Sequence, residues 1–269
     1  MGEGVTFKEL SSKKLGKVKI KFPSIPEQQR IATILAAAFA DLAQAKANAE
    51  KNLANTKELF ASELYAVFTH RGVEWDEKAL GDCARFIDYR GKTPDKTNSG
   101  LRLITAKNVK MGYIQRYPEE FVAETSYESW MTRGIPHKGD VLFTTEAPLA
   151  NVAQLDTDDR VVFAQRVIIL QSNKTYLYSA FLKYALMSIP VQKIIHSKGT
   201  GATATGIKSK LLKTISIPFP SLAEQQRIAA RLDELSEHCK KLEAVYTQKL
   251  SLYDEMKQSL LRKAFSGEL

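Results

Sequence analysis

Cysteine is nearly absent from this sequence: its 269 residues hold two, Cys83 and Cys239, in different segments. That excludes a disulfide-built scaffold and fits reduced thiols in a cytoplasmic protein. No apolar run approaches the roughly 18 residues of a membrane span, and the opening Met1-Gly-Glu-Gly lacks a hydrophobic signal core. No membrane partner is expected. The four histidines, His70, His137, His196 and His238, have no HxxxH or CxxC neighbour, so no metal site is expected. The run Gly199-Thr-Gly-Ala-Thr-Ala-Thr-Gly206 invites a phosphate-cradle reading. Yet it lacks both the Gly-Lys-Ser/Thr ending of a P-loop and the strand-GxGxxG-helix order of a dinucleotide site. Asp140 with Glu146 lacks the following lysine of a metal nuclease, and there is no Asn-Pro-Pro-Tyr type motif for holding a flipped base. The chain therefore reads as non-catalytic.

Charge is present in excess and unevenly placed. The net charge is +9 and the pI about 9.3, which points to a polyanionic partner. Residues 1–25 carry +4, 26–70 carry −1, 71–222 carry +6, and the remainder is neutral. Lysine added for solubility would give the same total, but not obviously this distribution.

One sentence of sequence is written twice. Phe22-Pro-Ser-Ile-Pro-Glu-Gln-Gln-Arg-Ile-Ala-Thr-Ile-Leu35 returns 197 residues later as Phe219-Pro-Ser-Leu-Ala-Glu-Gln-Gln-Arg-Ile-Ala-Ala-Arg-Leu232, with ten of fourteen positions identical. The match runs on without a gap: Gly4 falls on Gly201, Ser12-Lys13 on Ser209-Lys210, Leu15 on Leu212, and Ser62, Leu64 and Phe68 on Ser259, Leu261 and Phe265. The period is far longer than the roughly 20 to 50 residues of a solenoid repeat. One structural unit is used twice, and a segment that occurs once lies between the copies.

Each copy opens on an alternating stretch, Val18–Phe22 and Ile215–Phe219, with the period of a strand. A long helix follows, announced by the capping-box spacings Ser24-Ile-Pro-Glu27 and Ser221-Leu-Ala-Glu224; Pro26 is tolerated in a first turn. Ile31, Leu35, Ala38, Leu42, Ala45 and Ala49 step by four and three. Ile228, Leu232, Leu235, Cys239, Leu242 and Tyr246 take the same steps at the same phase of the repeat. That is a coiled-coil seam, continuing less regularly through Leu53, Leu59 and Leu64 and through Leu250, Met256 and Leu261 until Gly72 and Gly267 close the helices. A helix with one apolar stripe must bury it, and the other copy is the evident partner, in antiparallel sense.

The middle alternates strand-like and turn-like stretches. Leu101–Thr105, Val141–Thr145, Val161–Phe163 and Val167–Leu170 read as strands, and Ser179–Ser188 as a helix stopped by Pro190. The fold class is thus α+β: one mixed module at 72–218, flanked by repeat helices at 26–71 and 219–269, with 1–25 resembling the tail of a preceding module. The polar and basic residues on its turns are types that contact phosphates and base edges. They are Arg90, Lys92, Thr93, Lys107, Asn108, Lys110, Tyr113 and Arg116 in the first half, and Thr144, Thr145, Arg166, Lys198, Thr200, Thr203 and Lys208 in the second. A solvated turn or a cap is the plainer reading for any one of them.

Three features together resemble the specificity subunit of type I restriction-modification systems. These are the doubled Phe-Pro-Ser-x-x-Glu-Gln-Gln-Arg-Ile helix start, the Leu80-Gly-Asp-x-x-x-x-Ile-x-x-Arg-Gly-Lys-Thr-Pro94 opening, and Lys138-Gly-Asp-Val-Leu142. The resemblance implies that the unique segment is a target recognition domain reading half of a split site in double-stranded DNA. It further implies that the helices space two such domains and dock methyltransferase (modification) subunits, which restriction subunits join. S-adenosylmethionine, Mg and ATP are then expected only on those partners, and no cofactor on this chain. Members of the family usually carry two recognition domains; this chain has one, so a half-length or truncated subunit is expected, with a homodimer supplying the second module. Two other readings stand beside this one. A specificity region of a fused restriction-methylation enzyme would require catalytic motifs, and a coiled-coil scaffold without a nucleic acid partner would leave the +6 of the unique segment unexplained.

Overall fold

The computed structural model describes residues 11–19, 23–70, 72, 75–91, 93–164, 166–201 and 205–269. In chain order the elements are α1 (Ser12–Leu15), α2 (Ile25–Thr69), β1 (Asp76–Ala79), α3 (Leu80–Cys83), β2 (Ala84–Asp88), β3 (Lys96–Thr97), β4 (Leu101–Ile104), β5 (Val109–Lys110), β6 (Tyr113–Ile114) and β7 (Phe121–Val122). They continue as α4 (Tyr127–Trp130), β8 (Val141–Thr145), β9 (Leu149–Gln154), β10 (Val162–Phe163), β11 (Val167–Ser172), α5 (Ser179–Met187), α6 (Ile189–Ser197), α7 (Ser209–Lys213), β12 (Ser216–Phe219) and α8 (Leu222–Ser266). The strand expected at 18–22 lies partly outside the described residues, and Val18 and Lys19 are exposed and not in a strand. Two compact units divide the chain: residues 1–55 with 242–269, and residues 56–241.

In the first unit the helices run antiparallel. Arg30 donates to the carbonyl of Leu269 at 2.5 Å, the Lys257 ammonium lies 5.4 Å from the Phe39 ring centre, and Lys46 pairs with Asp254 at 2.8 Å. Residue numbers rise on one helix as they fall on the other. Ile31, Leu35, Ala38, Leu42, Ala45 and Tyr246 are half-buried and Ala49 is buried. Leu242 is a correction: it is 42% exposed, and half-buried Glu243 stands in its place. A strict heptad falls behind the 3.6-residue turn by about 20° per repeat. On α8 the column of Leu232 and Cys239 keeps its heptad phase through half-buried Tyr246, Tyr253 and Leu260, whereas the column of Leu242 slips by one residue to Glu243, Leu250 and buried Ala264, leaving Met256 50% exposed.

The second unit is built on a four-stranded antiparallel sheet, β2-β11-β8-β9, faced by a smaller sheet, β10-β4-β7-β3. Successive residues of β8 and β11 serve opposite faces, as the strand period of two requires. Val141, Phe143, Ile168 and Leu170 enter a core with Phe181, Leu182 and Leu186 of α5, whereas Leu142, Val167 and Ile169 enter another with Leu103, Ile104 and Phe163. Burial on both faces is why these strands read as unbroken apolar runs rather than as alternation.

The first core also takes in the parts of the long helices that belong to this unit: Leu64 and Phe68 of α2, and Ile228, Ala229 and Leu232 of α8. Ile228 and Leu232 thus belong to the core on the sheet side. Leu235 is half-buried and Cys239 buried, while Leu59 is 52% exposed and Phe60 replaces it on the inner face. Here too the helices are antiparallel, with Arg231 pairing Glu63 at 2.7 Å. Pro190 does not simply end a helix. It sits in the first turn of α6, where no N–H is required of it. Likewise α2 stops at Thr69 rather than at Gly72, whereas Gly267, at φ +82°, closes α8 in the left-handed conformation that suits glycine.

The repeated helix start acquires a physical account. Ser221 accepts the Glu224 N–H at 3.3 Å, but the glutamate does not complete a capping box; its carboxylate is forked by Arg227 at 2.8 and 2.6 Å, just as Arg30 forks Glu27 at 2.8 and 2.7 Å. Gln28 and Gln225 both donate to the carbonyl of the proline five residues earlier, each at 2.9 Å. The second copy packs on the module. Gln225 is fully buried, donating to the Tyr176 carbonyl and accepting from the Tyr178 N–H at 2.9 Å each, whereas Gln28 is exposed. In the same way Leu212 is buried while Leu15 is 59% exposed, and Phe68 is buried while Phe265 is 88% exposed.

Candidate functional site

The globular unit carries an open cleft of about 490 Å³. Arg90 and Thr93 reach it from the loop after β2, Thr145 and Glu146 from the end of β8, Arg166 from the turn before β11, and Thr200, Gly206, Ile207 and Lys208 from the glycine-rich loop before α7. Residues far apart in sequence, chosen on chemistry alone, are brought to one place. Three cations and one carboxylate line it.

The loop is held by backbone geometry. Thr200 and Gly206 exchange two N–H to carbonyl bonds of 2.9 Å each, and the Ile207 N–H donates to the Thr145 carbonyl at 2.9 Å. A Cβ on Gly206 would stand 3.1 Å from the Glu146 Cβ and 3.2 Å from the Thr145 carbonyl, so glycine lets the loop close against the strand end. That packing role accounts for this glycine without a nucleotide.

Each cation is held differently. Arg90 forks the Asp88 carboxylate at 2.8 and 2.6 Å, and its own N–H adds a third bond at 3.0 Å. Burial alone would push the Asp88 carboxyl up, but those bonds, with the Arg90 and Arg133 charges, hold it below the usual carboxylate range. Arg166 has φ +67°, a left-handed conformation unusual for a side-chain-bearing residue. Its carbonyl takes the Thr145 N–H at 2.8 Å, and its Nε lies 3.0 Å from Glu146 Oε1. Lys208 is exposed at the start of α7.

A second group lies on the β5–β6 hairpin. Lys107 and Tyr113 are exposed, Lys110 is half-buried, and Arg116 pairs with Glu119 at 3.0 Å while remaining 70% exposed. Two residues leave the contact set. Asn108 is buried, its amide donating to the Pro118 carbonyl at 2.8 Å and its oxygen accepting from the Thr105 N–H at 3.1 Å. Thr144 is fully buried, its hydroxyl donating to Pro148 at 2.7 Å and accepting from the Asn151 N–H at 2.9 Å. Both side chains pin turns that carry other candidates. Thr145 lines the cleft but is 2% exposed, with its hydroxyl on the Arg166 carbonyl. Lys198 donates to the Thr214 hydroxyl at 3.3 Å and is not among the lining residues. Lys92 and Thr203 lie outside the described residues. Sequence reasoning missed Glu146 as a cleft residue, and it missed Arg133, whose guanidinium donates to the backbone carbonyl of Asp88 beneath Arg90. Nothing local in the sequence distinguished either one.

Among the described residues no cluster of three or more His, Cys, Asp or Glu could hold a metal ion, and no helix is long and apolar enough to cross a membrane.

A family model described as the type I restriction modification DNA specificity domain matches residues 2–51 and 72–251. The specificity subunit of the type I restriction enzyme EcoBI from Escherichia coli is 23% identical over 98% of this chain and 61% of its own length. That of MjaIX from Methanocaldococcus jannaschii is 30% identical over 62% of this chain and 40% of its own length. This chain therefore spans less than two thirds of either relative. Two solved chains share the fold. One, from work on complex assembly and conformational transition of a type I R-M system, superposes with a TM-score of 0.77 at 21% identity, covering 99% of this chain and 66% of that one. The HsdS subunit from Thermoanaerobacter tengcongensis gives 0.64 at 20%, covering 99% and 65%.

Proposed function

The chain belongs to the type I restriction-modification DNA specificity family, and from that membership we propose that its globular unit reads one half of a split site in double-stranded DNA. The observation that carries this reading is the cleft, in which Arg90, Thr93, Arg166, Thr200 and Lys208 converge from separate segments of a unit with excess positive charge. Cations neutralise phosphates, and side-chain forks distinguish base edges. A scaffold without a nucleic acid partner would have no use for such convergence.

The chain itself performs no chemistry in this proposal. It positions methyltransferase subunits, which bring S-adenosylmethionine, and restriction subunits, which bring Mg and ATP, and it works in the cytoplasm where the DNA is. For docking and for self-association the supporting feature lies on the outer face of α8, in the first unit. Leu242, Val245, Leu252 and Met256 are 42 to 50% exposed and fall at heptad steps on a stripe separate from the inner seam. Two copies related by a twofold axis would read an interrupted palindrome.

The test is direct. The purified chain should retain duplex DNA in a salt-dependent manner and transfer no methyl label from S-adenosylmethionine, and a cognate methyltransferase should restore transfer. Labelling by the chain alone, or no DNA retention at low salt, defeats the proposal.

A further inference from the structure

A carboxylate is out of place in a phosphate-binding cleft, because it repels the anion that the neighbouring cations attract. Glu146 is nonetheless there, at the end of β8, with its backbone bridged to Gly206 and its Oε1 3.0 Å from the Nε of Arg166. We infer that Glu146 and Arg166 form a base-reading pair, in which Glu146 fixes the plane of the Arg166 guanidinium so that its terminal amino groups meet the O6 and N7 acceptors of one guanine in the half-site.

Three observations lead here. First, the closest approach of Glu146 to the guanidinium is at Nε rather than at its Nη1–Nη2 edge. That edge is the one that addresses two adjacent acceptors end-on. Arg90 differs, since Asp88 takes both its Nε and its Nη2. Second, a guanine edge is neutral whereas a phosphate is not, so a fixed carboxylate beside the guanidinium penalises the phosphate and spares the base. Third, the position is anchored from both sides. Arg166 holds a left-handed backbone at φ +67° with its carbonyl bound by the Thr145 N–H, and Gly206 leaves room for Glu146 that a Cβ would fill at 3.1 Å. Arg166 is then a specificity-determining residue and Glu146 a positioning residue. Lys208, exposed and without an ion pair among the described residues, is left to the phosphates.

This inference rests on the DNA-reading proposal, and one experiment separates their failures. The full chain is incubated with a random-sequence duplex library and the retained DNA is sequenced, for the wild type and for Arg166→Lys, Glu146→Gln and Glu146→Ala. The wild type enriches a motif that contains a G·C pair. Arg166→Lys lowers the preference for that one pair by roughly tenfold, which is within the worth of a bidentate contact, and leaves the other positions unchanged. Glu146→Ala relaxes the same position while raising affinity for all sequences. Glu146→Gln, whose amide oxygen still accepts from Nε, raises affinity but keeps the preference. If the wild type enriches no motif, the DNA-reading proposal itself falls. If it does, and Arg166→Lys leaves the motif intact or relaxes every position equally, the pair does not read a base and this inference is overturned. Should Glu146→Ala fail to fold, the contrast between Arg166→Lys and Glu146→Gln decides alone.

Discussion

Tyr184 donates a 2.5 Å hydrogen bond to Oδ1 of Asp233, the same oxygen that takes the Lys183 ammonium at 2.9 Å. Two consecutive residues of α5 thus share one carboxylate on α8, and the ammonium also lies 4.0 Å from the centre of the Tyr184 ring. Burial first, then the Asp233 hydrogen bond, pushes the Tyr184 phenol well above its usual range, so it remains the donor at any ordinary pH.

The consequence is an order of severity. Asp233→Ala strands the Lys183 ammonium, whose side chain is only 11% exposed, and should cost about 2 to 3 kcal/mol. Tyr184→Phe removes one hydrogen bond and should cost about 1 kcal/mol. Urea melts of both variants give the comparison, and the reverse order would show that the carboxylate serves the tyrosine rather than the lysine.

Phe68 and Phe265 occupy one position of the repeat in opposite surroundings. Phe68 is fully buried against Phe181, with ring centres 5.5 Å apart, and Phe265 is 88% exposed. Phe68→Ala should cost about 3 to 5 kcal/mol and Phe265→Ala no more than about 0.5 kcal/mol. Equal shifts in melting temperature would mean that Phe265 is covered in solution.

Cys83 makes stability depend on pH at the alkaline end. Burial, followed by the charge of Asp82, pushes its thiol up to about 11. The folded chain therefore binds this proton more tightly than the unfolded chain does, so the associated stabilisation is whole below about pH 9 and is lost as pH rises through about 11. Cys83→Ala should flatten that part of the stability profile relative to the wild type. A native thiol that reacts readily with a maleimide at pH 8 would contradict the burial.

On the DNA side, Lys208→Ala should weaken binding to all sequences alike and reduce the slope of log affinity against log salt by about 1, the signature of one phosphate contact. Asn108→Ala should instead lower the melting temperature, because it unpins the turn that carries Lys110 and Tyr113. A variant of Lys208 with an unchanged salt slope would remove that lysine from the interface.

Much of this was legible because period and repetition survive in sequence. The two 45-residue helices, the apolar runs at β8 and β11, and the start of α5 were all visible, and Ser221 does cap α8. Leu242 and Met256 were misplaced because one of the two heptad columns shifts by a residue on a real helix, from Leu242 to Glu243, while the column of Cys239 stays in phase. Strands of two residues such as β5, β6 and β7 carry too little pattern to be seen. At the cleft the structure brings together Arg90, Arg166 and Lys208, which residue chemistry had picked out one by one without placing them side by side. It could not separate them from Asn108 and Thr144, because the same side-chain types also serve buried turns, and only burial decides between the two uses.

Assembly depends on which stripe of α8 finds a partner. The inner stripe is met within the chain, as the pairs Lys46 with Asp254 and Phe39 with Lys257 show, and this removes one drive to associate. The outer stripe has no such partner among the described residues, and its exposed leucines and valine are what a second copy or a methyltransferase helix would cover. Val245→Glu with Leu252→Glu should therefore leave the melting temperature within about 2 °C of the wild type, since exposed positions contribute little to folding. The same pair should convert a homodimer to a monomer in light scattering, because two carboxylates would have to be buried at the new contact. A wild type that is strictly monomeric, alone and with its methyltransferase, and that directs methylation of an asymmetric site, would rule out the twofold model.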